Sequence, residues 1–529
     1  MLNEKQRVRN RMRVNRRLAR SLEQAAVFLT LALLGGALAQ AAPEAQDAGH
    51  QAERILRIML DAPPLTLNPR MAQDVQGQRL SALFFPALTK QTHQLQTQGD
   101  LAESFSSNDR FTEWTFKIRS GLKDHEGNPI GPEEVLQCLN HYREGKPLAL
   151  AIQALEPWKS IRLKGRSLIF ELEKSEPYFS RNISVVRYFR QTGRPPCIEP
   201  VASSPLIGAG EFRARIYTHA PETELLVDRL QPDGSFRAHA QFLFVRDENT
   251  RVIRMLRGEV DLTQNAFSPV RFRWLANRHQ DRFHLVEAPG VNVSYLSFNL
   301  KHPILSNQKV RKALSLAIPV SELIGGKFAN MVEPASSFLS PLLPDGLVTP
   351  VERENPNKAA ELLDEAGYPK KQDGVRFSLR FKTTPVREGY EPARILQEVF
   401  GKLGVKVVLE VVEPAVFLSA VRKGSYELAL GRWVGVADPS IFDRTLRSQA
   451  PSNRAGYSNT EMDKLLASRQ WAQVQRKMTE DIPYFPLWFW KNAVLLRRGV
   501  VGVEPSQISL TGALRPLLDA RKATTEGSD

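Results

Sequence analysis

The sequence predicts an α/β protein of two or three domains. Three observations carry this reading. A chain of 529 residues is too long for a single hydrophobic core. Short apolar runs with two-residue alternation are separated by amphipathic runs of helical period. In the second half, "VRFSLRFKTT", a helical stretch and "VKVVLEVVE" make strand, crossover and strand, the pattern of a parallel pair.

The chain opens with an export segment. Met1–Gln24 holds Lys5, Arg7, Arg9, Arg11, Arg13, Arg16, Arg17 and Arg20 against Glu4 and Glu23, so eight positive and two negative charges give +6 of the formal +15. The remaining +9 is spread over the rest of the chain, which is a mildly basic surface and not a nucleic-acid-binding stripe. Ala25–Leu34 is an apolar run of signal length, Gly35 and Gly36 break it, and Ala37-Leu38-Ala39 offers a small-x-small cleavage site. Residues 1–42 therefore read as a signal peptide, or as an N-terminal anchor if uncleaved. The expected location is periplasmic, membrane-anchored if the segment is retained.

The mature chain begins with the strand "RILRIMLD" and the turn "APPLTLNP". "FTEWTFKIRSGL" alternates Phe111, Trp114, Phe116 and Ile118 as a half-buried strand does. A turn and a helix follow, with Pro132 at the first helical position. On that helix Cys138 reads as a small buried hydrophobe, with a Cys138–Cys197 disulfide as the alternative. "TRVIRMLRGEVDL" predicts a helix closed at Gly258 and then a short strand, and "SNQKVRKALSLAI" predicts a helix. "NPNKAAELLDEAGY" is a helix capped by Asn357 or Asn355 and stopped at Gly367. The crossover helix of the strand pair is expected over Pro392–Lys402. A helix at "AVFLSAVRKG" and the strand "YELALGRW" repeat the pattern. Past that strand "GRWVGVADPS" breaks into a bend carrying an indole, an Arg and an acid, at the strand end where open α/β sheets bind ligands.

Motifs of catalysis are missing from the sequence. "GGKFAN" at Gly325 lacks the upstream Gly and the Ser/Thr of a phosphate loop, and no HExxH, Cys-x-x-Cys or Gly-x-Ser-x-Gly occurs. No two of the nine histidines stand three or four apart. The expectation is a binding protein, not an enzyme, with no cofactor and no metal.

At "GDLAESFSSNDRFTEWTFKIRSGLKDHEGNPIGPEEV" the chain resembles the extracytoplasmic solute-binding proteins of family 5, the substrate-binding proteins of ABC importers for peptides, nickel and related solutes. Further blocks agree in order: "LTLNP", "ALFFPALT", "IGAGEFRA", "RVIRMLRGEVDL", "VSYLSFNLKHPILSNQKVRKALSLAI", "NKAAELLDEAGY" and "DIPYFPLWFW". The resemblance implies a two-lobed periplasmic-binding-protein-like α/β fold with an extra inserted domain. Residues 50–90, 205–290 and 486–518 would form the first lobe, 91–204 the inserted domain packed on it, and 291–485 the second lobe. It implies a monomer that closes on a peptide or peptide-like small molecule and delivers it to an ABC permease in the inner membrane, with no nucleic-acid partner. A membrane-tethered sensor or assembly protein that keeps the fold without transport is the alternative.

The resemblance also places the bend in the cleft. Trp433 and Gly435 match the family's peptide-binding segment, but Val436 stands where the acid that pairs with a peptide's amino terminus is expected. Asp438 fits the family's second acid, as a ligand contact or as a turn acid capping backbone N–H groups. Trp433 is either a wall of the cleft or core, and Arg432 is a ligand contact or a solvated charge pointing the other way along the strand. Gln73, Asp74 and Val75 match a first-lobe strand that hydrogen-bonds a peptide. Trp488 and Trp490 would line the pocket, and Asn299 would support the hinge.

Overall fold

The run Phe377–Thr383 buries Phe377, Leu379, Phe381 and Thr383 and turns the residues between them outward, the two-residue period of a strand. Val405–Val411 lies parallel to it in register, with Phe377 beside Val405 and Thr383 beside Val411, as the strand–crossover–strand pattern requires. The computed structural model describes residues 55–72, 74–145, 154–198, 205–218, 223–385, 387–505 and 513–522. Residues 1–42, expected to be a signal peptide or anchor, lie outside them, as does Gln73.

In chain order the strands are β1 (Leu56–Leu60), β2 (Thr89–Gln91), β3 (Thr97–Gly99), β4 (Ala102–Ser107), β5 (Glu113–Ile118), β6 (Trp158–Lys164), β7 (Ser167–Leu172), β8 (Phe212–Thr218), β9 (Thr223–Leu230), β10 (Phe236–Phe244), β11 (Leu262–Gln264), β12 (Phe283–Phe298), β13 (Val332–Pro334), β14 (Phe377–Thr383), β15 (Val405–Val411), β16 (Leu428–Trp433), β17 (Tyr484–Arg497) and the short pair β18 (Val500–Val501) and β19 (Arg521–Lys522). One large sheet runs in the order β15-β14-β16-β12-β17-β11-β1-β10-β9-β8, with β13 added on β17. β4, β5, β7 and β6 form a second sheet, and β2 and β3 a hairpin.

The two long antiparallel strands β12 and β17 join the halves of the large sheet. Phe283–Ala288 pairs with Asn492–Arg497, a register shift follows between Ala288 and Asn292, and Asn292–Ser297 then pairs with Tyr484–Trp490. Gly290 lies in the shift because a Cβ there would meet the Trp490 carbonyl at 2.3 Å. On one side of this crossing Met59, Met255, Leu275 and Leu495 belong to one apolar cluster. On the other side two clusters cover the two faces of the sheet: one holds Leu314, Leu379, Phe381 and Trp488, the other Tyr295, Phe338, Trp471 and Tyr484.

The small sheet shares a core with the first half. Trp114, Phe116, Phe170 and Phe179 pack together with Ile58, Phe84 and Phe242, and the Phe170 and Phe179 rings meet edge-on at 5.1 Å. Helix α1 (Val75–Phe84) buries Leu80, Leu83 and Phe84 in this core. In helix α2 (Pro132–Glu144) the Glu134 carboxylate reaches back to the Gly131 N–H at 2.9 Å and fixes the start. Its buried face presents Cys138, which is not a free buried thiol as the sequence reading preferred: it is disulfide-bonded to Cys197, with Cα atoms 4.8 Å apart.

Two helix boundaries settle as well. Asn355, not Asn357, caps the helix Pro356–Glu365 by accepting from Lys358 N at 3.1 Å. The crossover helix spans Arg387–Lys402 and carries Pro392 inside it, so Pro392 does not begin it. Among the described residues no helix is long and apolar enough to cross a membrane.

Candidate functional site

β16 reaches the bend with Gly431 opposite Tyr295, Arg432 opposite Ser294 and Trp433 opposite Val293. A Cβ at position 431 would lie 2.3 Å from the Tyr295 ring, so only glycine lets the tyrosine lie across the strand. The Tyr295 and Trp433 rings stack at 5.5 Å with planes 17° apart, and Phe338 meets Trp433 edge-on at 6.4 Å. The Arg454 guanidinium lies 4.4 Å from the Trp433 ring centroid and its Nη1 donates to Tyr295 Oη at 3.3 Å. Trp433 is thus a half-buried member of the second half's own core, held between a tyrosine and an arginine.

The alternation of the strand sends Arg432 to the opposite face, as the sequence reading allowed. Its guanidinium lies 4.0 Å from the Trp490 centroid, and Trp490 Nε1 donates to Ser294 Oγ at 2.8 Å. Trp488 is on the same face but only 1% exposed, packed on Phe328 at 4.6 Å. The structure therefore brings Arg432 and Trp490 together, places Trp488 in core, and keeps all three on the far side of the sheet from Trp433.

Beyond the strand the chain turns at Gly435, whose φ of 68° is left-handed and favours glycine; its N–H donates to Asn292 Oδ1 at 2.8 Å. Val436 is buried with Phe338 and Tyr295. Asp438 is 7% exposed and takes the turn role, its Oδ1 accepting from Ser440 N at 2.9 Å. Its Oδ2 meets Arg181 Nη1 at 3.3 Å, and the same guanidinium donates to the Ala437 carbonyl. Arg181 sits on a single helical turn, Phe179–Asn182, anchored by Phe179 in the core of the small sheet. The bend thus meets the region of the small sheet, whose β2–β3 hairpin also sends Leu95 into the core around Trp433 and Phe338. At this junction of mixed charge, burial, with Asp438 nearby and Lys174 opposing, raises the Glu176 carboxyl above its usual range, and burial pushes the Tyr178 hydroxyl up to about 12.

The remaining expected contacts fall elsewhere. Asp74 and Val75 do not form a strand. Asp74 is the N-cap of α1, accepting from Gly77 N at 2.8 Å and Leu65 N at 3.2 Å, and Val75 is the first, exposed residue of the helix. Asn299 does hydrogen-bond backbone, donating to Gly424 O at 2.9 Å and Tyr426 O at 2.7 Å. Those partners precede β16 inside the second half, so Asn299 braces that half and not the crossing. The crossing has its own polar brace: Asn265 Nδ2 donates to Asn492 Oδ1 at 3.1 Å and Asn265 Oδ1 accepts from Ala493 N at 2.8 Å.

Sequence reading missed a polar chain at the C-terminal ends of the parallel strands β1 and β11. Gln76 donates to Asp61 Oδ1 at 2.8 Å, Arg79 Nη1 donates to Gln76 Oε1 at 3.1 Å, and Arg79 Nη2 to Gln264 Oε1. Burial lowers the Arg79 guanidinium to about 10 against the opposing pull of Asp61. A cavity of about 260 Å³ opens on the second half beside Leu316, Val351, Phe485 and Pro486, with none of the expected site residues in its lining. Among the described residues no group of three His, Cys, Asp or Glu side chains could hold a metal ion.

With this geometry in view, known proteins agree on the frame. The family described as bacterial extracellular solute-binding proteins, family 5 Middle, matches residues 96–453. The oligopeptide-binding protein AppA of Bacillus subtilis is 23% identical over 484 residues, covering 83% of this chain and 87% of that protein. The periplasmic oligopeptide-binding protein OppA of Salmonella typhimurium is 24% identical over 489 residues, with the same coverage of 83% and 87%. Among solved structures, the periplasmic binding protein DppA from Helicobacter pylori in complex with peptide STSA superposes with a TM-score of 0.71 at 19% identity, covering 90% of this chain and 100% of that one. The shared fold is the two-lobed α/β fold expected from the sequence.

Proposed function

Because the chain belongs to the bacterial extracellular solute-binding proteins of family 5, we propose that it is the exported, non-catalytic receptor of an ABC importer, taking a peptide or peptide-like solute between its lobes. The lobes we assign are residues 50–90, 205–290 and 486–518 for the first and 291–485 for the second, with 91–204 inserted and packed on the first. The observation that carries the reading is the two-strand crossing. β12 and β17 run continuously through both halves of the sheet, with a register shift between Ala288 and Asn292, which is the place for a hinge.

A ligand that touches both lobes shifts the population to the closed form by its differential affinity for that form. On the second lobe the contacts we propose are the edge of Trp433 and the Gly435 turn. On the first lobe the ends of β1 and β11, with Gln76, Arg79 and Gln264, face the ligand. The names of the relatives support a peptide: an oligopeptide-binding protein and a DppA bound to peptide are among them. The protein acts as a monomer in the periplasm and passes its cargo to a permease of the inner membrane. Isothermal titration of the mature protein against peptide pools tests the proposal. Binding at about 1 μM or tighter, roughly −8 kcal/mol, is expected; heat-silent titrations with every pool, while a nickel–histidine complex binds, would overturn it.

A further inference from the structure

A buried carboxylate beside a solute cleft would ordinarily be an anchor for a cationic group of the ligand. Asp438 is such a carboxylate by burial, yet its charge is already met from within the chain. Arg181, 257 residues away, reaches it with Nη1 at 3.3 Å, and the two side chains retain 20% and 8% of their exposure. The guanidinium is positioned before it meets the bend. Its Nη2 donates to the Leu95 carbonyl at 2.8 Å and its Nε to Gln91 Oε1 at 3.3 Å, both within its own region. Its backbone rests on Phe179, which is fully buried among Trp114, Phe116 and Phe170. Of the contacts its guanidinium makes among the described residues, those to Ala437 O and Asp438 Oδ2 cross to the second lobe; Arg469, donating to Ser175, crosses separately.

We infer that Arg181 is a built-in stand-in for a ligand cation: by filling the Asp438 carboxylate from the inserted region it latches the two lobes together and sets the receptor's specificity toward ligands without a free amino group at this end of the cleft. This rests on the proposed reading as a peptide receptor for its second half only. A tethered guanidinium already ordered by Leu95 and Gln91 acts at high effective concentration, and a ligand ammonium would have to displace it. The ion pair also makes the closed form less dependent on ligand, because opening the lobes gives up its charge-assisted hydrogen bonds to Ala437 and Asp438. Leu95 strengthens the latch, since the hairpin tip that holds Arg181 is itself embedded beside Phe338 and Trp433.

Two variants test the latch in the full mature protein. Arg181→Ala removes the guanidinium. Asp438→Asn removes the charge while its Oδ1 still accepts from Ser440 N, and a thermal melt of each confirms that it is folded. Small-angle scattering without ligand is expected to give a larger radius of gyration for both variants than for the parent; an unchanged radius in both overturns the latch. Titration with free-amine and N-acetylated peptide pools is expected to show that the parent binds acetylated peptides at least as well as free ones. Arg181→Ala should then shift that ratio toward free amines by about tenfold or more. A parent that requires a free amine, or a ratio unmoved by Arg181→Ala, overturns the specificity claim. If neither pool binds any form, the peptide reading fails and the specificity claim with it, while the scattering still decides the latch.

Discussion

Glu176 shows how one side chain can oppose the arrangement around it. It stands at the junction where Asp438 is held, and burial, with Asp438 adding to it, raises its pKa in the folded protein above the ordinary 4.5. A carboxyl raised on folding contributes stability that is fully present below pH 4.5 and lost as pH rises through the folded value. Replacing Glu176 with Gln should therefore raise the melting temperature at pH 7 and leave it unchanged at pH 4; a loss of stability at pH 7 would mean the ionised form is held by a favourable contact. At this scale the sequence was partly legible. Period two along "ALGRW" separates Trp433 from Arg432, and they do face opposite sides, toward Tyr295 and Trp490. The two readings of Asp438 were both open because a "DP" turn acid looks the same whether its second oxygen meets ligand or protein. Arg181 was invisible: nothing local in "FSRN" signals a partner 257 residues on.

At the scale of elements, local chemistry predicted well where it was allowed to speak. Gly258 closes its helix with a left-handed φ of 74°, and the parallel pairing of β14 with β15 follows from the crossover between them. Asp74 and Val75 were misplaced because a likeness to a family strand was set above a local cap. Asp74 with Gly77 three residues on, followed by Leu80, Leu83 and Phe84, already spells an N-capped amphipathic helix. The disulfide between α2 and Cys197 was beyond pattern reading, since two cysteines 59 residues apart carry no register. Its removal releases a long loop in the unfolded chain, so Cys138→Ser with Cys197→Ser should cost about 2–4 kcal/mol in a urea melt. Reductant should lower the parent's midpoint by the same amount and leave the double variant unmoved.

For the whole molecule, the order of blocks along the chain was the strongest signal, because it pointed to the family and with it to the two-lobed α/β fold. The meeting of the bend with Arg181 was not legible, being set by contacts between distant segments. Stability should carry a signature of three half-buried histidines. Burial lowers the pKa of His125, His239 and His284 below 6.5, and two of them lie against backbone carbonyls, His125 at Gly210 and His239 at Leu518. Groups depressed in the folded state contribute stability that is present above pH 6.5 and lost as pH falls through their folded values. The melting temperature should fall between pH 7 and 5, and a melt that is flat or rises over that range would contradict the assignment.

Capture of a solute between hinged lobes is the claim on which the rest depends, and hydrogen–deuterium exchange with and without a bound peptide reads it most directly. Protection is expected on both walls together, at residues 433–438 of the second lobe and at 262–265 with 76–80 of the first. Protection confined to one lobe, or to the second-lobe cavity beside Val351 and Phe485, would contradict it.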